Sequence, residues 1–252
     1  MDRVTRAYYE ITFELNFRKK KQDEFQTFFS EIMEKAHPAD FQRVRPWGKS
    51  GDKKNDGYLR TQRILFQVYA PNEITANVAV KKIEEDFAEA LPYWKQHFAK
   101  WVFVHNSLDG LGPEVTKKLL DLDSKNKPLE VLPWGFEELR QKVFTLDEND
   151  VASLLGPAPS NSTVSNVRFD SLETVLLTIS RQSAPTNISI RPVPPDKLSA
   201  NALSENVQIL LTAGMRKADL VEKFFAQWHD PRFGDEVAET FRAKYVELRN
   251  SR

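Results

Sequence analysis

The residues best suited to chemistry lie between positions 45 and 71. In RPWGKSGDKKNDGYL (residues 45–59) two carboxylates, Asp52 and Asp56, stand four apart among Gly48, Gly51 and Gly57. The run ILFQVYAP (residues 64–71) places Gln67 eleven residues after Asp56. Side chains alternate faces along a strand, so Leu65, Gln67 and Tyr69 share one face and Ile64, Phe66 and Val68 the other. Gln67 is then a polar group held beside a carboxylate-bearing hairpin. An oxygen-rich corner of this kind suits Mg²⁺, which takes carboxylate, carbonyl and water ligands. Such an ion would polarise a phosphate and help to generate a hydroxide nucleophile. The same residues also suit a plain turn, because Gly-Asp and Asp-Gly are common turn dipeptides and a strand glutamine often only hydrogen-bonds.

Charge gathers at the same place. Between positions 43 and 63 there are seven basic residues (Arg43, Arg45, Lys49, Lys53, Lys54, Arg60 and Arg63) against Asp52 and Asp56, a local net of +5. This clustering either guides a polyanion to the corner or forms a solvated hairpin face. The whole chain of 252 residues is neutral, with 36 Lys plus Arg and 36 Asp plus Glu. Neutrality excludes a polybasic protein that coats nucleic acid everywhere on its surface.

Other chemistries are poorly supplied. Zero cysteines exclude disulfides, a thiol nucleophile and Cys-containing zinc sites. The four histidines (His37, His97, His105 and His229) form no HxxxH or HxH pair. His105 ends the run WVFVH, where a hydrogen-bonded structural role is expected. Trp134 with Phe136 could stack a base, yet aromatics beside Pro133 and Gly135 commonly cap a core. Ser107 and Ser171 lack a matching histidine and acid. With no GxxxxGK[ST] or GxGxxG, any nucleotide hydrolysis belongs to a partner. The composition, 40% apolar and 29% charged, is that of an ordinary globular chain. No apolar run reaches eighteen residues and MDRVTRAYYE lacks an apolar h-region, so a cytoplasmic protein without membrane contact is expected.

The elements that must position the corner follow from periodicity. Residues 9–17 alternate apolar and polar, which predicts a half-buried strand, although Tyr9, Phe13 and Phe17 also fit a helical stripe. Phe25, Phe28, Phe29, Ile32 and Met33 predict a helix stopped by Pro38. Strands are predicted at 41–44, near 56, at 64–69, 101–105 and 129–132. Helices are predicted around Ala79 to Ala90 (closing before Pro92), Val115 to Leu122, and 136–143. Helices alternating with strands from 64 to 143 predict βαβ units in a mostly parallel or mixed sheet. From 147 the composition becomes polar and proline-rich, with one amphipathic helix at 170–181. Residues 201–252 show three helical stripes and balanced charge, eight basic against eight acidic residues, which suits protein–protein contact. The expected organisation is an α/β domain at 1–146, a polar linker at 147–200 and a helical docking domain at 201–252.

The pattern G-x-x-G-D-x-x-x-D-G (residues 48–57) with its Gln-bearing strand resembles the Mrr-like branch of the PD-(D/E)xK nuclease fold. So does the order of elements that follows, through WVFVHNS (residues 101–107) to LPWGFEEL (residues 132–139), over roughly residues 20–146. More narrowly, EFQTFFSEIMEKAHP, RPWGKSGDKKNDGYL and FQVYAP resemble proteins of bacterial ABC-three-component anti-phage systems. The first resemblance implies a mixed sheet flanked by helices and metal-dependent phosphodiester cleavage with Mg²⁺ or Mn²⁺. It places the metal-binding aspartate at Asp56, the Q-x-K strand at Gln67 and Tyr69, and the helix-borne acid at or near Gln26, with Glu24 and Glu31 close by. Glu31 is then a second metal ligand. Tyr69 replaces the lysine, and a phenol of pKa near 10 is a poor substitute for a permanent cation. Lys81 or Lys82 on the next helix, or Lys49 or Lys53 on the hairpin, would have to take its place. Arg45, Lys49, Lys53, Lys54 and Arg60 would meet DNA. The second resemblance implies an ABC-type ATPase of the SMC kind and a small middle component as partners, with self-association left open. Loss of the motif lysine equally suits a degenerate nuclease fold that binds DNA or holds a scaffold together without cutting.

Overall fold

A computed structural model describes residues 1–45, 53–160, 162, 164, 166–180 and 203–250. Lys49, Asp52 and the proline-rich stretch at 184–197 lie outside the described residues.

The chain divides into two compact units, residues 11–157 and residues 1–10 with 158–252. The first is built on a five-stranded sheet in the order β1 (Phe41–Arg43), β2 (Gly57–Leu59), β3 (Ile64–Tyr69), β4 (Lys100–His105), β5 (Glu130–Trp134). The first three strands pair antiparallel and the last three parallel. The parallel half arises as predicted: α3 (Ala76–Trp94) joins β3 to β4, and α4 (Pro113–Lys125) joins β4 to β5. Parallel neighbours cannot be joined by a tight turn, so each crossover carries a helix.

Each face of the sheet is sealed by rings. On one, Leu65, Trp101, Phe103 and Val131 pack with Ala79, Ile83 and Phe87 of α3 and Val115 and Leu119 of α4. On the other, α2 (Gln22–Ala36) lays Phe29 against Phe66, at 5.3 Å between ring centroids, while Phe41 and Trp134 close on Phe66 at 6.1 and 5.1 Å. Phe13 and Phe17 extend this layer to Phe136 of α5 (Phe136–Phe144), at 5.3 and 5.2 Å.

Three expectations are corrected. Residues 9–17 are helical, within α1 (Arg3–Lys19). Tyr9, Phe13 and Phe17 are all buried, whereas Leu15, which the two-residue period would also bury, is 47% exposed. The 3.6-residue stripe therefore prevails. Helix α3 runs through Pro92 to Trp94; so near the end, a proline costs one main-chain bond and no further turns. Residues 148–155, assigned to the linker, form α6 (Glu148–Leu155), capped by the Asp147 carboxylate on Asp150 N–H and burying Val151 and Leu155.

The other unit is helical: α7 (Phe169–Ser180), α8 (Glu205–Met215), α9 (Ala218–Gln227) and α10 (Phe233–Asn250). Leu176, Phe224, Phe233 and Val237 form a small core with Trp228 against it. Arg3 pairs with Glu205 at 2.8 Å. Phe241, Tyr245 and Leu248 on α10 are exposed. Among the described residues no helix is long and apolar enough to cross a membrane.

Phe66 is the ring on which three others converge, so Phe66→Ala should lower unfolding free energy by about 3–5 kcal/mol. Val78→Ala, at a 58% exposed position, should change it by less than about 0.5 kcal/mol. Urea titration of both variants gives the comparison.

Candidate functional site

Strands β2 and β3 pair over only three residues each, 57–59 with 64–66. Asp56, just before β2, donates its N–H to Phe66 O at 2.9 Å. Past that point the strands part, and the Asp56 side chain fills the fork. Its Oδ2 accepts Val68 N–H at 2.6 Å, and its Oδ1 accepts the Gln26 amide from α2. Bonds to an ionised carboxylate are shorter and stronger than neutral ones. One buried carboxylate, 5% exposed, thus joins β2, β3 and α2. The neighbouring residues fix it. Fully buried Asn55 accepts Gly57 N–H at 3.0 Å. Gly57 must lack a side chain because a Cβ would lie 2.4 Å from the Phe41 ring. The glycine of the Asp-Gly pair therefore serves close packing within a strand.

Continuing the β2–β3 register by one residue sets Asp56 opposite Gln67, which alternates onto the face of Leu65 and Tyr69. Gln67 is buried, and its Oε1 has no hydrogen-bond partner among the described residues. Tyr69 stacks on Phe103 at 5.7 Å. Its hydroxyl pKa is pushed up by burial and then by the charge of Asp86, so the side chain stays a neutral phenol. Asp86, wholly buried on α3, gathers the local cations: its Oδ1 lies 2.7 Å from Lys82 Nζ and 3.2 Å from Lys54 Nζ. Its Oδ2 is buried without a hydrogen-bond partner among the described residues. Burial works to lower the Lys54 pKa, but hydrogen bonding and charge from Asp86, then Glu89, outweigh it and raise it. Lys53 and Lys54 both have left-handed backbones, at φ 54° and 59°. That conformation costs roughly 1–2 kcal/mol per non-glycine residue. It is offset where Lys54 reaches Asp86 and where Lys53 O accepts the Trp94 indole N–H at 3.1 Å.

The sequence-derived candidates are distributed as follows. Asp56 lies at the fork with Gln67 across from it on β3, and Gln26 is the α2 residue that touches Asp56. Glu31 is exposed further along α2. Lys81 is exposed and 3.7 Å from Glu85, while Lys82 turns to Asp86 beside Tyr69. Of the basic set, Arg43 pairs with Glu34 at 2.9 Å, Lys54 with Asp86, and Arg63 bonds to the carbonyls of Gln96 and His97. Arg45, Lys53 and Arg60 are exposed. Acids from outside the segment thus pair with two of its seven cations, Arg43 and Lys54. Asp86 escaped the sequence reading. Its signal was a carboxylate four residues after Lys82 within the buried stripe Ala79, Ile83, Phe87 and Ala90.

The described residues do not fit a magnesium site. Both Asp56 oxygens already accept hydrogen bonds, Glu31 is elsewhere, and among the described residues no three His, Asp or Glu side chains gather.

A second polar feature lies at the carboxyl ends of β4 and β5. His105 is 4% exposed, and its Nδ1 accepts Ser107 N–H at 3.2 Å. Burial depresses its pKa to about 4, with Glu138 opposing. A base whose folded pKa lies below its unfolded value of 6.5 contributes stability above that value and loses it as pH falls towards 4. Between pH 6.5 and 4 this amounts to about 3 kcal/mol. His105→Gln should flatten that part of the stability profile relative to the parent chain, measured by urea unfolding at pH 7 and 4.5. Parallel profiles for the two proteins would refute the assignment.

Residues 170–252 match the family model for C-terminal domain 10 of the ABC-three component (ABC-3C) systems. No curated protein and no solved structure matches the chain. The match spans α7 to α10 and leaves the α/β unit outside it. It associates the chain with the ABC-three-component defence systems.

Proposed function

We propose that the protein is a subunit of an ABC-three-component defence assembly whose α/β unit is a non-cutting relative of the PD-(D/E)xK fold. In this role the unit engages nucleic acid, and the C-terminal helices hold it to an ABC-type ATPase and a small middle component. The observation that carries the reading is the state of Asp56. Both its oxygens are spent on donors of the chain itself, Gln26 and Val68 N–H. The helix position that would carry a second acid holds an amide, and the strand position that would carry a lysine holds Tyr69. A carboxylate bonded in this way is a structural joint. Among the described residues, exposed Arg45, Lys53 and Arg60 are the cations left for a phosphate backbone.

The purified chain, alone and with its companion ATPase, should leave plasmid and single-stranded DNA and RNA uncut in Mg²⁺ or Mn²⁺. Asp56→Ala should instead cost stability, roughly 1–3 kcal/mol, because two partly buried donors, the Gln26 amide and Val68 N–H, lose their acceptor. Cleavage by the parent chain that vanishes in Asp56→Ala would overturn this reading in favour of a metal-dependent nuclease.

The docking role rests on the exposed Phe241, Tyr245 and Leu248, one stripe along α10 at spacings of four and three residues. Replacing Phe241 and Tyr245 together by Glu should abolish co-purification with the partner components while leaving thermal unfolding of the chain unchanged. Undiminished co-purification would place docking elsewhere.

A further inference from the structure

His105 was expected to be a satisfied structural histidine, yet only one of its ring nitrogens is satisfied. Nδ1 accepts the Ser107 amide, so in the neutral ring the proton sits on Nε2. The neutral ring thus keeps one N–H donor, on Nε2, with no hydrogen-bond partner among the described residues.

This donor borders a cavity of about 290 Å³ lined by His105, Ser107, Leu108, Leu111, Pro133 and the start of α5. The cavity lies at the carboxyl ends of the parallel strands β4 and β5, where open α/β sheets bind ligands. The helix start supplies first-turn amides that lack intrahelical acceptors. Gly135 permits the arrangement, since a Cβ there would lie 2.6 Å from His105 Cε1 and 2.8 Å from Nε2. Glu138 accepts Gly135 N–H at 2.8 Å, and Glu137 pairs with Arg140 at 3.0 Å.

We propose that this cavity binds a small uncharged heterocycle of the nucleobase or nucleoside class, with the His105 Nε2–H donating to a carbonyl or ring nitrogen of the ligand. The lining selects the class. Leu108, Leu111 and Pro133 offer apolar walls, as small-ligand pockets do. No Lys or Arg lines the cavity, whereas Glu137 and Glu138 do, so a phosphate would meet two carboxylates, with Arg140, the partner of Glu137, lying outside the lining. The carboxylates instead suit the amino or ring N–H donors that flank the acceptor on a base edge. The volume lies at the small end of the range for ligand pockets. The site is separate from the fork at Asp56 and stands whether or not the α/β unit cuts nucleic acid.

The full chain should be titrated with adenosine, guanosine, cytidine and uridine, and with their 5′-monophosphates. The readouts are equilibrium dialysis and the ring ¹H–¹⁵N signals of His105. The expected result is saturable binding of at least one nucleoside with a shift of the His105 Nε2 signal. Its monophosphate should bind at least tenfold more weakly. His105→Phe should lose at least tenfold in affinity, and Leu108→Trp, which fills the cavity while sparing the imidazole, should do the same if the histidine variant fails to fold. No saturable binding of any nucleoside, binding that leaves His105 unshifted, tighter binding of the monophosphate, or undiminished binding by Leu108→Trp would each overturn the proposal.

Discussion

The α/β unit depends on one carboxylate placed where two strands separate. A sheet whose strands diverge leaves main-chain donors facing one another without acceptors, and a buried donor in that condition is costly. Asp56 resolves this by lending a side chain to the ladder: Val68 N–H bonds to the carboxylate. Because the other oxygen is bonded to Gln26, the position of α2 over the sheet is fixed by the same group. The Phe29–Phe66–Phe41 packing then has a defined registration. A side chain with these obligations has little capacity left for a substrate or an ion, and the functional reading follows from that constraint.

The opposite face of β3 shows the complementary solution for cations. Two lysines from separate elements, the hairpin and α3, converge on Asp86. The group is three charges with a net of +1. A buried carboxylate with two partners is far better compensated than one with a single partner, and removing either lysine would leave the other to carry it. The left-handed backbone at Lys53 and Lys54 is held in place by this anchoring, so hairpin conformation and α3 chemistry form one unit.

Much of this architecture was readable from the sequence. ILFQVY and WVFVH are dense β-formers, and the stripes at 25–33 and 79–90 have an unmistakable helical period, so the βαβ half of the sheet followed directly. Residues 9–17 misled because Ile11 and Leu15 complete a two-residue alternation that the fold does not use. In the helix they fall off the buried stripe. The grouping of residues 1–10 with residues 158–252 is a long-range feature that local composition does not record. At the fork, spacing singled out Asp56 and Gln67, which stand across from each other on β2 and β3 when the register is extended. It could not say that Gln26 would donate to the carboxylate, or that Asp86 would claim Lys54 and Lys82, because hydrogen-bond direction and pairing across elements exist only after folding.

The internal pairing of charge changes how this protein would sense ionic strength. Each cation that neutralises a nucleic-acid phosphate releases condensed counterions, and the logarithm of affinity falls with the logarithm of salt by about 0.9 for each such contact on duplex DNA. Counted along the chain, seven basic residues between 43 and 63 would give a steep response. Arg43 and Lys54 are engaged by acids, and Arg63 by the carbonyls of Gln96 and His97. Lys49 lies outside the described residues; a surface resting on the described Arg45, Lys53 and Arg60 would respond with a slope of about three. Its hold on nucleic acid would be weak on its own but comparatively insensitive to salt, which suits a subunit that is carried to its target by the complex around it.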